Sequence, residues 1–420
     1  MTGLLDAIAP TCQAPSPARA TTLPPEAYGS DELYALESEK VFKANWVPLC
    51  RVEQIEEPGS YRSIDVLSVP LVVTRDRDGE IHVLSRTCRH RWMEVASGSG
   101  VAPALQCPYH LWTYGLDGHL AGAPLMGGAE GFCKDDVALT SYRHEVWQGF
   151  VMVNLDGRAE PVAEQLAGLD AYVEPYGLAD YRTVEATDWG ICPWDWKIMV
   201  DNFMECYHHM GPHRASLEDL YPARQSTIDA GGDHYSVMWS NPAPGALAAA
   251  PFLDPGVPPS EAEPAARSLI FIAYPLLQVV VGPGFMYWLQ ALPVAPGRIE
   301  LHMDIAMSPA ALAAPDAEAR RKALVDSIVT VHREDLDVCA AVQRAVVAGA
   351  EGTGRLSLLE QALWEFYRYL GRELGLPDTE FVSLPTPAPG EQAGEPAARS
   401  GESGAPSGEP GRPDREPAGV

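Results

Sequence analysis

Cys88-Arg89-His90 and, sixteen residues further on, Cys107-Pro108-Tyr109-His110 constrain this chain more than any other feature in it. Each half offers one thiolate and one imidazole from a tight loop, so two loops must share one centre. The aromatic neighbours Tyr109, Trp112 and Tyr114 and the turn at Gly115 suit a packed loop over that centre. The other six cysteines, Cys12, Cys50, Cys133, Cys192, Cys206 and Cys339, are thinly spread over 420 residues. That is unlike a disulfide-dense secreted scaffold. Met1–Pro10 has no Lys or Arg before its short apolar run and so lacks the charged region of a secretory signal. The expected location is the cytoplasm, with these six thiols reduced.

The order of the ligand types selects the metal. A two-iron, two-sulfide cluster of the Rieske type takes two Cys on one iron and two His on the other. Interleaving the pairs lets each loop contribute one ligand to each iron. A structural Cys2His2 zinc site is the alternative, but zinc fingers group the two cysteines together and the two histidines together. Donor set and spacing point to the cluster.

A second constellation is Asp201-Asn202-Phe203-Met204-Glu205-Cys206-Tyr207-His208-His209-Met210-Gly211-Pro212-His213. A mononuclear Fe(II) oxygenase centre needs two His and one carboxylate on one face of the metal, with open positions for O2 and substrate. His213 can pair with His208 or with His209. A spacing of five splays two side chains on a regular helix, but Gly211-Pro212 interrupts it. A spacing of four suits one helical face. Spacing alone leaves both open. The carboxylate must come from elsewhere. Arg333-Glu334-Asp335-Leu336-Asp337-Val338-Cys339 offers Glu334, Asp335 and Asp337 on a predicted helix, a face that by residue type reads as merely solvated.

Along the chain, residues 1–24 read as irregular and 25–45 as an amphipathic helix around Leu33, Leu36, Val41 and Phe42. Residues 46–155 carry the short strands and turn signals of an all-β unit, with hairpins at Asp78-Gly79 and Asp117-Gly118 and a strand over Phe150–Leu155. Residues 161–217 read as mainly helical, 241–267 as a long surface loop (an insertion, or a lid), and the next stretch to Ser308 as strands. No charged residue lies between Arg267 and Arg298, yet Pro275, Gly282, Pro283, Gly284, Pro293 and Pro296 punctuate that stretch. It reads as strands flanking a Gly-Pro-Gly turn rather than as a membrane span. Residues 309–373 read as helical, with apolar spacing through Leu324, Ile328, Val331 and Val338. From Pro385 Pro and Gly dominate and aromatics vanish, the composition of a disordered tail.

Taken together, these motifs resemble the Rieske non-haem iron oxygenases, specifically the catalytic α subunit of the aromatic ring-hydroxylating family, over roughly residues 25–375. The resemblance implies an α+β chain. An all-β Rieske domain (46–155) precedes a helix-grip catalytic domain (156–384, with the helix 25–45), and a tail follows (385–420). It implies that Cys88 and Cys107 hold one cluster iron and His90 and His110 the other. It implies His208, His213 and Asp335 as ligands of a mononuclear Fe(II), with Asp337 the fallback and His209 in a supporting role. It implies Glu205 as the acidic residue between the centres, and a homotrimer in which the cluster of one subunit serves the iron of its neighbour. Glu205 would then link His208 to the neighbour's His110. Trp92 departs from the family, which usually has Gly there, and a ring at that position is expected to cover the cluster loop.

The implied activity is O2-dependent hydroxylation of a small organic substrate. Oxidative demethylation or quaternary-ammonium monooxygenation is the alternative within the family, and an electron-transfer protein or a zinc-stabilised binding protein the alternatives outside it. The chain lacks a G-x-G-x-x-G unit after a strand and the extra cysteines of a plant-type ferredoxin. Electrons from NAD(P)H are therefore expected through a separate reductase, with or without a ferredoxin. The formal charge of −27 excludes a nucleic-acid partner and an anionic membrane surface. Against it Arg86, Arg89 and Arg91 stand out as a docking patch for an acidic donor.

Overall fold

The computed structural model describes residues 2–246 and 267–377. The β-rich part comprises β1 Trp46–Arg51, β2 Ser60–Val66, β3 Val69–Arg75, β4 Ile81–Ser85, β5 Ser99–Val101, β6 Leu105–Gln106, β7 Thr113–Tyr114, β8 Leu120–Gly122, β9 Arg143–Trp147 and β10 Phe150–Asn154. They pair antiparallel in three sheets, ordered β4-β3-β2-β5, β6-β7-β8 and β1-β10-β9. Gly79 and Gly118 close the β3–β4 and β7–β8 hairpins at left-handed φ values of +89° and +87°, which only glycine adopts without strain. Cys88 and Cys107 are buried in a small core with Val72, Leu84, Leu105 and Tyr114.

The second part is built on one seven-stranded antiparallel sheet. Its strands are β11 Arg182–Cys192, β12 Thr227–Gly232, β13 Tyr235–Ser240, β14 Ser268–Ala273, β15 Leu277–Gly282, β16 Phe285–Ala295 and β17 Arg298–Met307, in the order β11-β17-β16-β15-β14-β13-β12. The uncharged stretch after Arg267 becomes β14, β15 and β16. Every residue of β14 and β15 is buried, because central strands covered on both faces have no solvent side to make polar. Among the described residues no helix is long and apolar enough to cross a membrane. The helix Ala317–Val347 buries Leu324, Ile328, His332, Asp335, Cys339 and Gln343. Their three- and four-residue spacing makes one stripe, and its apolar members join Ile270, Val280 and Phe285 of the sheet in one core.

Three readings change. Residues 1–24 begin with a helix, Thr2–Cys12, whose Ile8 and Cys12 are buried. It packs on the helix Gln361–Glu373, where a Cβ at Gly371 would lie 2.7 Å from Cys12 Cβ. Pro10, which removes a backbone donor, hides it from a reading of the sequence. The helix expected over 25–45 starts at Asp31 under a Ser30 cap and ends as a π turn over Ser38–Phe42. Finally, the mainly helical stretch 161–217 contains β11. It is the edge strand of the sheet, mostly half-exposed, so Arg182, Glu185 and Asp188 obscure any apolar alternation. The loop expected over 241–267 lies, apart from 241–246 and 267, outside the described residues, as does the tail expected from Pro385.

Candidate metal centres

The two Cys/His loops share one backbone pattern. The N–H of Cys88 donates to Met93 O (2.8 Å) and that of Trp92 to Cys88 O (3.0 Å). The N–H of Cys107 donates to Trp112 O (2.8 Å) and that of Leu111 to Cys107 O (3.0 Å). The fourth residue after each cysteine turns its loop at left-handed φ, +59° at Trp92 and +60° at Leu111. The His90 and His110 rings lie 4.6 Å apart between centroids, and Trp112 stacks on His90. The Nδ1 atoms of both histidines are buried and have no hydrogen-bond partner among the described residues. An orphaned buried nitrogen costs free energy unless something binds it. Two such nitrogens beside two buried thiols fit a Rieske cluster. Trp92 is 81% exposed, so its ring projects into solvent instead of covering the loop.

Tyr114 adds a tuning contact. Its oxygen accepts the Arg89 N–H at 3.0 Å, leaving the hydroxyl proton for Cys88 Sγ at 3.3 Å. Hydrogen bonds to the sulfurs raise a cluster's potential by dispersing negative charge on the thiolate. Tyr114→Phe is expected to lower the midpoint potential by some tens of millivolts, read by EPR-monitored redox titration. An unchanged potential would show that the phenol only packs.

The second constellation is assembled by three elements. The helix Trp196–Phe203 is capped by Asp195, whose carboxylate accepts the Lys197 N–H. It is anchored by buried Lys197, whose ammonium lies 2.8 Å from Glu37 and 2.7 Å from Asp195. The helix stops at Phe203. A 3-10 turn, Tyr207–Met210, then carries His208 and His209, so the spacing to His213 is not an α-helical one. The helix Ala317–Val347 supplies the carboxylate.

Asp335 Oδ1 lies 2.9 Å from His213 Nε2 and 3.4 Å from His208 Nε2. The three ligand atoms all fall within 4.8 Å of one another. Each imidazole presents Nε2 because its Nδ1 is held from behind. Glu205 accepts the Nδ1–H of His208 in a very short contact and its backbone N–H at 3.0 Å. Glu334 accepts the Nδ1–H of His213 at 2.7 Å and the Ser216 hydroxyl at 2.6 Å. Carboxylates behind imidazoles fix tautomer and ring orientation in metal sites. Burial opposes the charged form of His208, but Asp335 and Glu205 push its pKa up to about 10. Burial likewise opposes ionisation of Asp335, yet hydrogen bonds from His208 and His213 hold its carboxyl well below the usual range. The site thus favours positive charge, for which protons and a divalent cation compete. Two imidazoles and one carboxylate fit a mononuclear iron with open positions.

His209 is turned away. Its Nδ1–H donates to the Tyr221 carbonyl at 2.9 Å, and burial pushes its pKa down to about 4. Asp337 is exposed on another face of its helix, whereas Asp335 is on the buried stripe. Two contributors had a place in the sequence motifs but no assigned role, Asn202 and Glu334, and a third, His332, had no signal there. Asn202 Nδ2 donates to Asp335 Oδ1 at 3.1 Å, Glu334 acts behind His213, and His332 is buried one turn before Asp335. The site opens on a cavity of about 110 Å³ walled by Phe203, Tyr221, Phe285 and Tyr287.

Arg86 leaves the expected docking patch. It is buried and pairs with Asp65 at 2.8 Å and Glu94 at 3.2 Å. Arg89 and Arg91 remain exposed, Arg91 over the Tyr109 ring.

An all-β unit with two paired Cys/His loops, joined to a sheet that grips a helix beside a His–His–carboxylate set, brings two candidate metal centres together on one chain, one fitting a Rieske cluster and one a mononuclear iron. Residues 45–142 match the Rieske [2Fe-2S] domain and residues 172–375 the catalytic domain of ring hydroxylating alpha subunits. The carnitine monooxygenase oxygenase subunit of Acinetobacter baumannii is 32% identical over 206 residues, 49% of this chain and 55% of that one. The match thus spans about half the length of that relative. The chloroplastic choline monooxygenase of Arabidopsis thaliana is 26% identical over 383 residues, 85% of this chain and 84% of that one. A solved quaternary ammonium Rieske monooxygenase superposes with a TM-score of 0.75 at 25% identity, covering 87% of this chain and 98% of that one. The chain belongs to the Rieske non-haem iron oxygenases, among their α subunits. Its two domains imply a Rieske [2Fe-2S] cluster and a mononuclear iron.

Proposed function

We propose that the chain is the oxygenase component of a Rieske monooxygenase acting on a small N-alkylated compound. One O2 and two external electrons with two protons convert a substrate C–H to C–OH and release water. The observation that carries this reading is the convergence of His208, His213 and Asp335 at the mouth of an aromatic-walled cavity. Cys88, His90, Cys107 and His110 would hold the cluster, and His208, His213 and Asp335 the iron, in domains bounded at 46–155 and 156–384. When bound, the cluster would supply single electrons and the iron a site for O2. The chain's own groups do the rest. Glu205 and Glu334 orient the two imidazoles, and Asn202 holds the carboxylate oxygen of Asp335. The apolar wall excludes water, which strengthens every charge interaction inside.

The assembly we infer is a head-to-tail homotrimer. Trp92, Met93, Tyr109 and Leu111 expose apolar surface around the cluster loops, and Tyr207, Met210 and Leu358 expose it elsewhere on the chain, Tyr207 and Met210 flanking His208 and His209. Two different apolar patches on one chain suit a heterologous ring. Glu205 would then accept from His208 on one side and from His110 of the partner subunit on the other. Electrons would come from NAD(P)H through a separate reductase. The six cysteines outside the cluster loops, five buried and Cys133 exposed, are unpaired thiols, which supports a reducing, cytoplasmic setting.

Turnover of choline and other N-methyl compounds with an electron-donating reductase tests the reading. One O2 and two electrons are expected per hydroxylated or demethylated product. Formation of a cis-diol from indole or naphthalene, with no N-methyl compound turned over, would replace it with a ring dioxygenase.

A further inference from the structure

The cavity wall bears on what part of a substrate it can hold. We propose that the substrate of this site is a cation without a carboxylate, an alkylammonium whose other end is neutral. The inference rests on the N-alkyl reading above and deepens it, because that reading admits zwitterions equally.

The first observation is the sign of charge. The formally charged side chains among the described lining residues are Glu205 and Asp335, while His209 turns its Nδ1–H to the Tyr221 carbonyl. Glu334 stands behind His213. Three carboxylates exceed the two positive charges of a ferrous ion, so the field at the cavity favours a cation. The second observation is the wall itself. Phe203, Tyr221, Phe285 and Tyr287 supply aromatic faces, which attract an ammonium most where water is excluded.

The third observation concerns what a carboxylate would need. A buried carboxylate requires a cationic or multiple N–H partner, or several kcal/mol are lost. No Arg or Lys lines the cavity among the described residues. The sequence explains why. Between Arg224 and Arg298, the stretch that contributes β12 to β16, the only Lys or Arg is Arg267. Its guanidinium sits over the Trp239 ring at 3.6 Å. Trp239 belongs to the core on the other face of the sheet, whereas its neighbour Ser240 lines the cavity. Residues 247–266, whatever their placement, contain Asp254, Glu261 and Glu263 and no Lys, Arg or His. The neutral polar groups on the wall, Ser240, Ser268 and Ser327, suit a hydroxyl.

Choline and glycine betaine make the comparison, since they share a trimethylammonium head and differ in an alcohol against a carboxylate. Calorimetric titration of the iron-loaded full chain is expected to show choline binding at least tenfold more tightly. Ser327→Arg, at a half-buried lining position of the long helix, is expected to reverse that order. Val331→Arg serves as a second variant, and circular dichroism reports the fold of both. Equal or tighter binding of glycine betaine by the unaltered chain would overturn the inference while leaving the N-alkyl reading intact. If neither ammonium compound binds but indole does, the N-alkyl reading falls and the inference with it. A choline preference that both arginine variants leave unchanged would also overturn it, because the order would not then depend on charge at the wall.

Discussion

Asp335→Ala is expected to abolish the mononuclear iron while sparing the cluster. Asp335 Oδ1 is the point on which both imidazole Nε2 atoms converge, at 2.9 and 3.4 Å. Two histidines alone leave the ligand set one short and remove the anion that balances the metal charge. Activity should fall by about 10³-fold or more, since every turnover needs that metal. Metal analysis should show iron lost beyond the cluster complement, with an unaltered Rieske EPR signal. Asp337→Ala, exposed on another face of the same helix, should retain iron and activity. Full iron occupancy in the Asp335 variant would mean that a different carboxylate completes the set.

Glu205→Gln separates charge from shape. Glutamine keeps an oxygen able to accept the His208 Nδ1–H but loses the negative charge and one acceptor. Both metals should remain, because neither ligand set includes Glu205. The carboxylate fixes His208 through two contacts, at Nδ1 and at the backbone N–H, and partners of this kind are typically worth about 10- to 100-fold. Turnover should fall by at least that range, and reoxidation of the prereduced cluster by O2 plus substrate should slow in parallel. Glu205→Asp keeps the charge one methylene short and should fall between. Turnover within twofold of the unaltered chain would reduce Glu205 to a structural carboxylate.

Which residues were visible beforehand follows from how local each constraint is. Cys88, His90, Cys107 and His110 announce themselves because each pair lies within three or four residues of one loop with its own turn. His208 and His213 are likewise local; spacing alone left His208 and His209 open, the family resemblance named His208, and His209 turned to the Tyr221 carbonyl supports that choice. The acidic run Glu334-Asp335-Leu336-Asp337 looks like any solvated helix face. Its meaning depends on which side of the helix meets the sheet, and Asp335 is on the buried stripe while Asp337 is not. The strand β11 was illegible for the same reason in reverse, since an edge strand partly exposed on both faces need not alternate. Arg86 looked free in the sequence because Asp65 and Glu94, its partners, come from strand pairing and a loop.

The sequence alone determined the type of cluster, the all-β character of residues 46–155 and the acidic character of the chain. Each of these follows from residue type and short-range spacing. Only the tertiary structure decided that Asp335 and not Asp337 meets the two histidines, that Glu334 stands behind His213, and that among the described residues the cavity wall holds aromatics but no Lys or Arg. Those depend on side chains more than 100 residues apart, His213 and Asp335 among them, being packed against one another. No local pattern encodes such a pairing, because the burial that selects the facing residues exists only once the sheet has closed around the helix.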